Sequence, residues 1–321
     1  MDIDVIIPVY RPGEDLVALL NRLYAQTVEI HKIILVETLD KEEKTSMEEE
    51  TSAENSLLLH LQKQYKKIEL YSVKKEDFDH GMTRRMAVEK SDADIFVMMT
   101  QDAMPADDNL IEQLTEPLRD QVAVSYARQL PREDCAPVEC YTREFNYPAQ
   151  SRIKSAEDLK TLGIKTFFCS NVCAAYRRDI YEELGGFVKH TIFNEDMIYA
   201  AKAVEAGYAI AYAADARVIH SHNYTNVQQF QRNFDLGVSQ AEHPEVFAAY
   251  PSESEGKRMV KDVTAYLRKN HMSGKLLHFY IQCACKYAGY LLGKNYRRLP
   301  GKWVLAFTSN KEYWKQNRKD V

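Results

Sequence analysis

The sequence feature that most constrains the fold is the stretch from Asp94 to Pro105, which reads D-I-F-V-M-M-T-Q-D-A-M-P. An apolar run of strand length ends abruptly in a polar tip that carries one carboxylate, Asp102, and a proline then stops the strand. A buried run of this kind indicates a central parallel strand in an α/β protein. Ligands of open α/β sheets bind outside the carboxyl ends of the strands, so Asp102 is expected where a ligand binds.

Asp102 is therefore a candidate ligand of a divalent metal ion, with the bound molecule supplying the remaining oxygens. The alternative is structural, because a helix is expected to begin near Asp107 and Asp102 would then serve as its cap. The stretch itself leaves both interpretations open.

The amino-terminal half alternates strand-length apolar runs with helical segments. Residues 5–10 and 32–38 flank a helix expected over residues 14–26, which is the opening of a βαβ unit. No G-x-G-x-x-G sequence follows either strand, which argues against a nucleotide-dependent oxidoreductase. Further strands are predicted at residues 68–73, 122–127, 166–178, 209–213 and 216–225, an exposed helical connection at 40–66, and a long irregular segment at 128–148.

Two polar groups outside the central strand suggest a site. In residues 78–85, a glycine turn with Arg84 leads into a helix and suits a phosphate, although Arg84 and Arg85 would equally serve as solvated surface charges. Glu195 and Asp196 begin a second helix, where the helix dipole favours carboxylates whatever their function.

His220 and His222 lie two positions apart on a segment predicted to be extended. We expect their side chains to point to opposite faces, so that only one of these histidines faces a metal ion or phosphate.

The length and composition indicate a cytoplasmic protein with one domain and an appendage, or two domains. The chain of 321 residues begins M-D-I-D without the basic start of a signal peptide, and no run of ~18 apolar residues suggests a spanning helix. Its six cysteines lack the spacing of a zinc site and are expected to be free thiols. No nucleic-acid partner is expected.

The carboxyl-terminal part is basic although the whole chain has a net charge of −5. Residues 257–321 hold 15 Lys and Arg but 3 Asp and Glu, and helices are predicted at 227–239, 257–270 and 275–292. Apolar residues beside clustered cations suit a helix that lies on an anionic membrane. The protein would then be peripheral on the inner face of the cytoplasmic membrane. A helical subdomain packed on the acidic body of the chain, or a dimer contact, explains the pattern equally well.

Taken in order, these pieces resemble the family 2 glycosyltransferases, which are inverting enzymes with the GT-A fold. The matching pattern spans residues 3–225 and includes I-I-P-V-Y at 6–10, the acidic tip of the second strand, T-Q-D at 100–102, N-E-D at 194–196 and H-S-H at 220–222. Four segments are similar to bacterial rhamnosyltransferases: F-D-H-G-M-T-R at 78–84, T-Q-D-A at 100–103, R-Q-L-P at 128–131 and F-N-Y-P at 145–148.

The resemblance implies a GT-A domain over residues 1–225, with a mostly parallel central sheet, and a basic helical region over residues 226–321. In the implied donor site, the tip of the first strand lies against the nucleotide base and the acidic tip of the second strand reaches the base or ribose. The turn at 79–84 touches the nucleotide or its diphosphate. The donor-binding residues implied in this way are Pro8, Val9, Tyr10, Glu37, Asp79, Arg84, Gln101 and Asp102.

The resemblance also implies the metal ligands and the catalytic group. Residues 100–102 fall on the D-x-D metal motif of the family, with Thr100 in place of the first aspartate, a departure that the rhamnosyltransferase-like subgroup shares. Asp102 would bind Mg²⁺ or Mn²⁺, Asp196 would be the general base, and Glu195 precedes it. The remaining implied residues are His220 or His222 near the metal ion, and Ser170 and Asn171 on the acceptor side.

The expected activity is transfer of a sugar, by resemblance L-rhamnose from dTDP-L-rhamnose, to a hydroxyl of a growing cell-surface glycan. The acceptor would be a glycan or a lipid-linked glycan. Two alternatives remain: an enzyme of the same family that uses UDP-GlcNAc, UDP-Gal or UDP-Glc, and a non-catalytic sugar-nucleotide-binding or scaffold protein.

Overall fold

The computed structural model describes residues 1–40, 57–250 and 253–316. Much of the helical connection predicted at 40–66 lies outside these residues, and its described part forms a helix at Leu57–Gln64. The strands are β1 (Ile3–Val9), β2 (Lys32–Leu39), β3 (Ile68–Lys74), β4 (Ile95–Met99), β5 (Met104–Pro105), β6 (Val122–Leu130), β7 (Arg152–Lys154), β8 (Cys173–Arg177) and β9 (Ala209–Ile219). The helices of the amino-terminal part are α1 (Glu14–Tyr24), α2 (Leu57–Gln64), α3 (His80–Val88), α4 (Leu110–Thr115), α5 (Pro137–Asn146), α6 (Leu159–Leu162), α7 (Arg178–Glu183) and α8 (Glu195–Glu205). The later helices are α9 (Asn226–Glu242), α10 (Pro244–Phe247), α11 (Glu253–Lys269), α12 (Leu276–Lys294), α13 (Gly301–Phe307) and α14 (Lys311–Gln316).

The strands form one sheet in the order β3-β2-β1-β4-β8-β6-β9-β5, with β7 paired to β9. β1, β2, β3 and β4 pair in parallel, β8 runs antiparallel between β4 and β6, and β9 is parallel to β6. Six strands therefore point in the same direction, which confirms the mostly parallel sheet. Their carboxyl ends lie at one edge, where Asp102 follows β4 and His220 follows β9.

The central strand β4 is buried on both faces, as its unbroken apolar run indicates. Ile95, Val97 and Met99 belong to the core beneath α1, α2 and α4, whereas Phe96 and Met98 belong to the core beneath α3, α7 and α8. All five side chains are nearly inaccessible to solvent. β4 thus fixes the position of the polar tip that follows it.

The carboxyl-terminal region is helical, as predicted. Within it, α9 and α12 pack closely against each other at glycine residues. A Cβ added to Gly293 would overlap the carbonyl oxygen of Phe234, and one added to Gly289 would overlap that of Phe230. Gly237 on α9 faces the backbone of α12 in the same way. Any side chain at these positions would force the helices apart. The close contact with the backbone of α12 therefore fixes the position of α9.

Two segment predictions are wrong. The segment 128–148 is not irregular, because β6 continues to Leu130 and α5 follows with a proline in its first turn. Val138 and Tyr141 of α5 pack against the core of α11 and α12, a contact that local sequence does not reveal. In the predicted strand at 166–178, only residues 173–177 are extended, and residues 163–167 form a 3₁₀ turn. Apolar runs alone do not distinguish a buried turn from a strand.

Every helix in the described residues is too short or too polar to cross a bilayer.

Candidate active site

A cleft of about 450 Å³ lies at the carboxyl edge of the sheet. Asp102 and Asp196, which are nearly a hundred positions apart in sequence, both line it. Two groups of side chains form its polar wall. We call Asp102, His220 and His222 the Asp–His cluster, and Arg84, Asn171, Glu195 and Asp196 the Glu–Asp cluster.

The Asp–His cluster brings three potential ligand atoms together. His222 Nε2 lies 3.1 Å and His220 Nε2 lies 3.4 Å from Asp102 Oδ2, and the two Nε2 atoms are 3.1 Å apart. The expectation that only one histidine faces the site is therefore wrong. Side chains two positions apart on an extended segment lie on the same side of the chain, and for this reason both rings reach Asp102.

Hydrogen bonds from its histidine neighbours hold Asp102 in the charged form. Burial by itself would raise the pKa of this carboxyl, but the hydrogen bonds with His220 and His222 outweigh it, so the pKa lies well below its usual range. Asp102 does not cap α4, because the amide of Asn109 bonds to Asp107 instead. The capping alternative for Asp102 is thus wrong.

Gln129 orients His220 from behind. The Nε2 of Gln129 donates to Tyr147 Oη at 2.7 Å and to Ser170 Oγ at 3.0 Å, so its Oε1 is left facing His220 Nδ1 at 3.1 Å. With a cation in the site, His220 would carry its proton on Nδ1, where Gln129 Oε1 accepts it, and would offer the lone pair of Nε2 to the ion. This is the arrangement of a metal-ligating histidine whose second nitrogen is held by a polar neighbour.

The donor atoms of the Asp–His cluster fit a divalent cation. One carboxylate oxygen and two imidazole nitrogens lie within 4.8 Å of one another. Imidazole nitrogen is a poor ligand for Mg²⁺ and a better one for transition metals, so the set favours Mn²⁺ over Mg²⁺.

The Glu–Asp cluster places two adjacent carboxylates at the start of α8 in different environments. Glu195 Oε1 lies 3.1 Å from Arg84 Nε and accepts a hydrogen bond of 3.0 Å from Asn171 Nδ2. Burial would raise the pKa of Glu195, but Arg84 and His80 outweigh it and lower the pKa. Asp196 lacks such a cation, and burial together with the charge of Glu195 raises its pKa to about 7.

Asp196 is oriented by backbone amides. Its Oδ2 accepts a hydrogen bond of 2.9 Å from the amide of Asn171, and its Oδ1 accepts one of 2.8 Å from the amide of Met197. A carboxylate whose pKa lies near neutrality, held at the wall of a cleft, is suited to accept a proton.

The first turn of α3, with its cap residue Asp79, supports the segment that precedes α8. Asp79 caps α3 through the amides of Gly81 and Met82, and its carboxylate also lies 2.7 Å from His190 Nδ1. A Cβ on Gly81 would overlap the carbonyl oxygen of Val188, so only glycine permits this approach. Asp79 lies behind the wall of the cleft, whereas Arg84 lines it. Arg84 is buried and paired with Glu195, so the solvated interpretation of this residue is wrong.

The other proposed donor-site residues lie at the tips of β1, β2 and β4, outside the lining of the cleft. Gln101 bridges the backbone of Tyr10, accepting from its amide at 2.9 Å and donating to its carbonyl at 3.0 Å. Tyr10 Oη donates to Asp40 at 3.0 Å, and Lys75 reaches both groups. Pro8 and Val9 pair with Val36 and Glu37 across the β1–β2 ladder.

Ser170 and Asn171 line the cleft beside the Glu–Asp cluster. Ser170 Oγ accepts from Gln129, while the Asn171 side chain is buried and accepts from Tyr176 Oη at 2.7 Å. Asn171 is thus part of the wall that orients both carboxylates.

Sequence reasoning missed several residues of the cleft. Arg232 on α9 lies over the rings of Tyr224 at 4.7 Å and Phe193 at 5.4 Å, and no carboxylate lies within ion-pair distance in the described part of the chain. Arg143 on α5 pairs with Glu139 at 2.9 Å and bonds to Gln129. Arg143 stands in a segment predicted to be irregular and Arg232 in a region predicted to be separate, so neither pattern pointed to the cleft.

The sequence of this chain is similar to a family profile and to two bacterial proteins. The sequence profile of Glycosyl transferase family 2 matches residues 4–185. The O-antigen chain rhamnosyltransferase RfbN of Salmonella typhimurium is 39% identical over 98% of this chain and 96% of its own. The O-antigen chain rhamnosyltransferase WbaN of Salmonella anatum is 43% identical over 74% of this chain and 76% of its own.

Solved structures show the same fold. The mannosyltransferase PcManGT of Pyrobaculum calidifontis, in complex with GDP-Man and Mn²⁺, matches with a TM-score of 0.55 at 16% identity, over 95% of this chain and 78% of its own. S. aureus TarS 1-349 matches with a TM-score of 0.50 at 13% identity, over 93% of this chain and 92% of its own. With the resemblance in its motifs thus confirmed, the chain belongs to the family 2 glycosyltransferases and is a glycosyltransferase with the GT-A fold.

Proposed function

We propose that this enzyme inverts the anomeric carbon as it transfers L-rhamnose from dTDP-L-rhamnose to a hydroxyl of a growing cell-surface glycan. The observation that carries the proposal is the convergence of the Asp–His and Glu–Asp clusters on one cleft. The names of the relatives RfbN and WbaN, O-antigen chain rhamnosyltransferases, support the choice of sugar and acceptor.

Asp196 is the general base of the proposed reaction. A sugar hydroxyl is a poor nucleophile, so Asp196 takes its proton as the oxygen attacks the anomeric carbon. The new C–O bond forms on the face opposite the breaking bond to the diphosphate, which inverts the carbon through an oxocarbenium-like transition state. The pair Glu195–Arg84 stays charged and leaves Asp196 as the carboxyl that changes protonation.

The departing nucleoside diphosphate gathers negative charge, and two features of the cleft meet it. Asp102, His220 and His222 would hold the cation, which as a Lewis acid would offset the charge on the diphosphate. Arg232 supplies a second positive charge, because no carboxylate of the described residues lies within ion-pair distance of it and its two aromatic neighbours hold its guanidinium in place. Arg84 is less available, since Glu195 already pairs with it.

The donor base is assigned to the tips of β1 and β2, with Pro8, Val9, Tyr10 and Glu37 around it. Gln101 holds the tip of β1 against that of β4. The side chain of Asp79 is engaged by α3 and His190, so we assign it to support of the cleft wall. Ser170 and the backbone of Asn171 border the acceptor hydroxyl beside Asp196.

A panel of nucleotide sugars tests the donor and the reaction together. The purified enzyme is incubated with Mn²⁺, a rhamnose-terminated or lipid-linked glycan acceptor, and dTDP-L-rhamnose, UDP-GlcNAc, UDP-Gal or UDP-Glc. We expect release of dTDP and a product whose new linkage has the inverted anomeric configuration, by NMR. Preferred turnover of a UDP-sugar would show that the donor is that sugar nucleotide and not dTDP-L-rhamnose. Binding without transfer or hydrolysis of any donor would support the non-catalytic alternative.

We also propose that the outward face of α12 lies on an anionic membrane surface, where a lipid-linked acceptor would reside. Leu277, Ile281 and Tyr287 on this face are 72%, 45% and 56% exposed, and Tyr280 and Leu291 share the same side of the helix. Between Asp262 and Glu312 the sequence has no acidic residue. Half-exposed Trp303 adds an aromatic ring of the kind that favours the membrane interface.

Vesicle sedimentation tests this surface. We expect the full chain to sediment with vesicles that contain phosphatidylglycerol at low salt, and less with phosphatidylcholine alone. Replacing Ile281 and Tyr287 by Glu should abolish sedimentation, whereas the control Val227→Glu, at an apolar position of α9 that is 67% exposed, should not. Equal sedimentation of all variants would overturn the membrane assignment. A dimer that forms with rising concentration in the wild type and is lost when Ile281 and Tyr287 are replaced by Glu would assign the face to a second copy of the chain.

A further inference from the structure

The residue that precedes the two carboxylates adopts an unusual backbone conformation. Asn194 has φ 65° and ψ 21°, which is the left-handed region that a non-glycine residue enters at a cost. An asparagine at a helix start usually caps the helix with its side chain, but Asn194 makes no such bond. Its conformation instead aims the first turn of α8, with Glu195 and Asp196, at the cleft.

The side chain of Asn194 is held from the carboxyl-terminal region. Its Nδ2 donates to Ser239 Oγ on α9 at 3.1 Å, and Ser239 Oγ donates to the carbonyl oxygen of Phe193 at 2.7 Å. Thr191 Oγ1 donates to the same carbonyl at 2.6 Å. Ser239 is fully buried. One hydroxyl of α9 thus contacts both residues that enter the strained turn.

The helix that carries Ser239 is itself fixed on two sides. Gly237 and Gly293 bring the backbones of α9 and α12 into contact, and the buried Asp235 accepts from Thr308 Oγ1 at 2.6 Å. The segment before the turn is held by α3, since the amide of Thr191 donates to Asp79 Oδ2 at 3.3 Å. The turn therefore lies between two rigid elements.

From this arrangement we infer that Ser239 is a positioning residue, through which α9 holds the Phe193–Asn194 turn and so sets the place of Asp196 in the cleft. The inference rests on the proposed function in that Asp196 is taken as the base. The carboxyl-terminal region thereby takes part in building the active site.

Substitution of Ser239 or Asn194 by a neutral residue changes no charge around Asp196. Any shift in the titration of Asp196 would therefore report a change in its position or solvation. The titratable groups that face Asp196 are Glu195 on α8, Arg84 on α3, Tyr147 directly after α5, Tyr176 on β8 and Cys169 in the loop before β8.

The test compares Ser239→Ala with Ser91→Ala, which removes another buried hydroxyl, one that donates to Asp4 Oδ2 at 2.6 Å and lies outside α9 and the lining of the cleft. We expect Ser239→Ala to lower kcat about 10- to 100-fold, as a misplaced catalytic group does, with KM for the donor unchanged. Ser91→Ala should lower Tm and leave kcat unchanged. Equal kcat in Ser239→Ala and wild type would overturn the inference.

A second pair of variants breaks the same link from the other side. Both variants lose the bond to Ser239, but Asn194→Gly tolerates the left-handed conformation whereas Asn194→Ala is strained in it. We therefore expect kcat to fall in both variants, and to fall further in Asn194→Ala. If Ser239→Ala fails to fold, the two Asn194 variants test the inference in its place. Equal, wild-type kcat values in both Asn194 variants would contradict the inference.

Carboxyl NMR separates this inference from the proposed function, because it needs no turnover. Asp196, assigned by loss of its signal in Asp196→Asn, should titrate near 7 in the wild type and lower in Ser239→Ala, as the loosened turn admits water. If wild-type transfer is absent but this shift occurs, the proposed function fails and the positioning role stands. An unchanged titration with normal transfer rejects the positioning role alone.

Discussion

The two clusters in the cleft differ in the pKa of the aspartate that each contains, Asp102 in one and Asp196 in the other. In the Asp–His cluster, hydrogen bonds from two histidines overcome burial and lower the pKa of Asp102. In the Glu–Asp cluster, Arg84 lowers the pKa of Glu195, and burial with the charge of Glu195 raises that of Asp196 to about 7. A carboxylate that stays charged suits a cation, and one near neutrality suits proton transfer. The difference supports the proposal that one cluster binds the metal ion and the other supplies the base.

The clusters also differ in how the chain builds them. Asp102, His220 and His222 directly follow strand ends, so the sheet itself brings them together. Glu195 and Asp196 are presented by a turn that α3 and α9 hold from outside the sheet. We therefore expect the Asp–His cluster to respond to changes near β6 and β9, and the Glu–Asp cluster to respond to changes in the carboxyl-terminal helices.

The largest effect is expected from Asp196→Asn. Losing the general base should lower kcat by about 10²- to 10⁴-fold, while Tm and Mn²⁺ binding stay as in the wild type because the Asp–His cluster is untouched. Glu205→Gln, at the exposed end of the same helix, is the matched control. Steady-state kinetics with calorimetric Mn²⁺ titration measures both properties. Wild-type turnover in Asp196→Asn would remove Asp196 as the base.

Asp102→Asn should affect the other cluster. We expect Mn²⁺ binding to be lost and kcat to fall by about 10²- to 10³-fold, since an electrostatic stabiliser of the leaving group is removed. The pKa of Asp196 should not change. EDTA should inactivate the wild type, and Mn²⁺ should restore it more effectively than Mg²⁺. Full activity in EDTA would show that no metal takes part. Asp107→Asn, which changes a carboxylate outside the lining of the cleft, serves as the control.

Gln129→Leu should weaken the metal site without touching a ligand. His220 would lose the partner that fixes its Nδ1 proton, so Mn²⁺ affinity should fall about 10- to 100-fold. Saturating Mn²⁺ should restore most of kcat, which distinguishes this variant from Asp102→Asn. Gln121→Leu, at an exposed position just before β6, controls for the loss of an amide. An unchanged Mn²⁺ affinity would show that Gln129 has no orienting role.

The smallest expected effect is the pH dependence of the wild type. The proposed base Asp196 can accept a proton only when it is deprotonated, so kcat/KM should rise with pH through about 7, by about tenfold between pH 6 and pH 8. The rise should be missing from the residual activity of Asp196→Asn. A profile that is flat above pH 5 would show that the pKa of the base is not raised.

Much of the fold could be predicted because its signals are local. The unbroken apolar run of β4 and the polar tips of β1 and β2 predict parallel strands whose carboxyl ends meet at one edge. The helices α9, α11 and α12 were predicted from apolar spacing, and the resemblance in residues 3–225 named the family. The 3₁₀ turn at 163–167 and α5 were missed, because their burial depends on distant contacts with α8, α11 and α12.

By itself, the sequence determined the strands, the chemical types of the site residues and the family, since each depends on neighbouring residues in the chain. Only the tertiary structure decided that both histidines face Asp102, that Arg84 pairs with Glu195, and that Arg143 and Arg232 line the cleft. The physical reason is that pKa values and hydrogen bonds depend on distances of a few ångströms between residues that lie far apart along the chain. Those distances are set by the packing of the sheet against α3, α8 and α9.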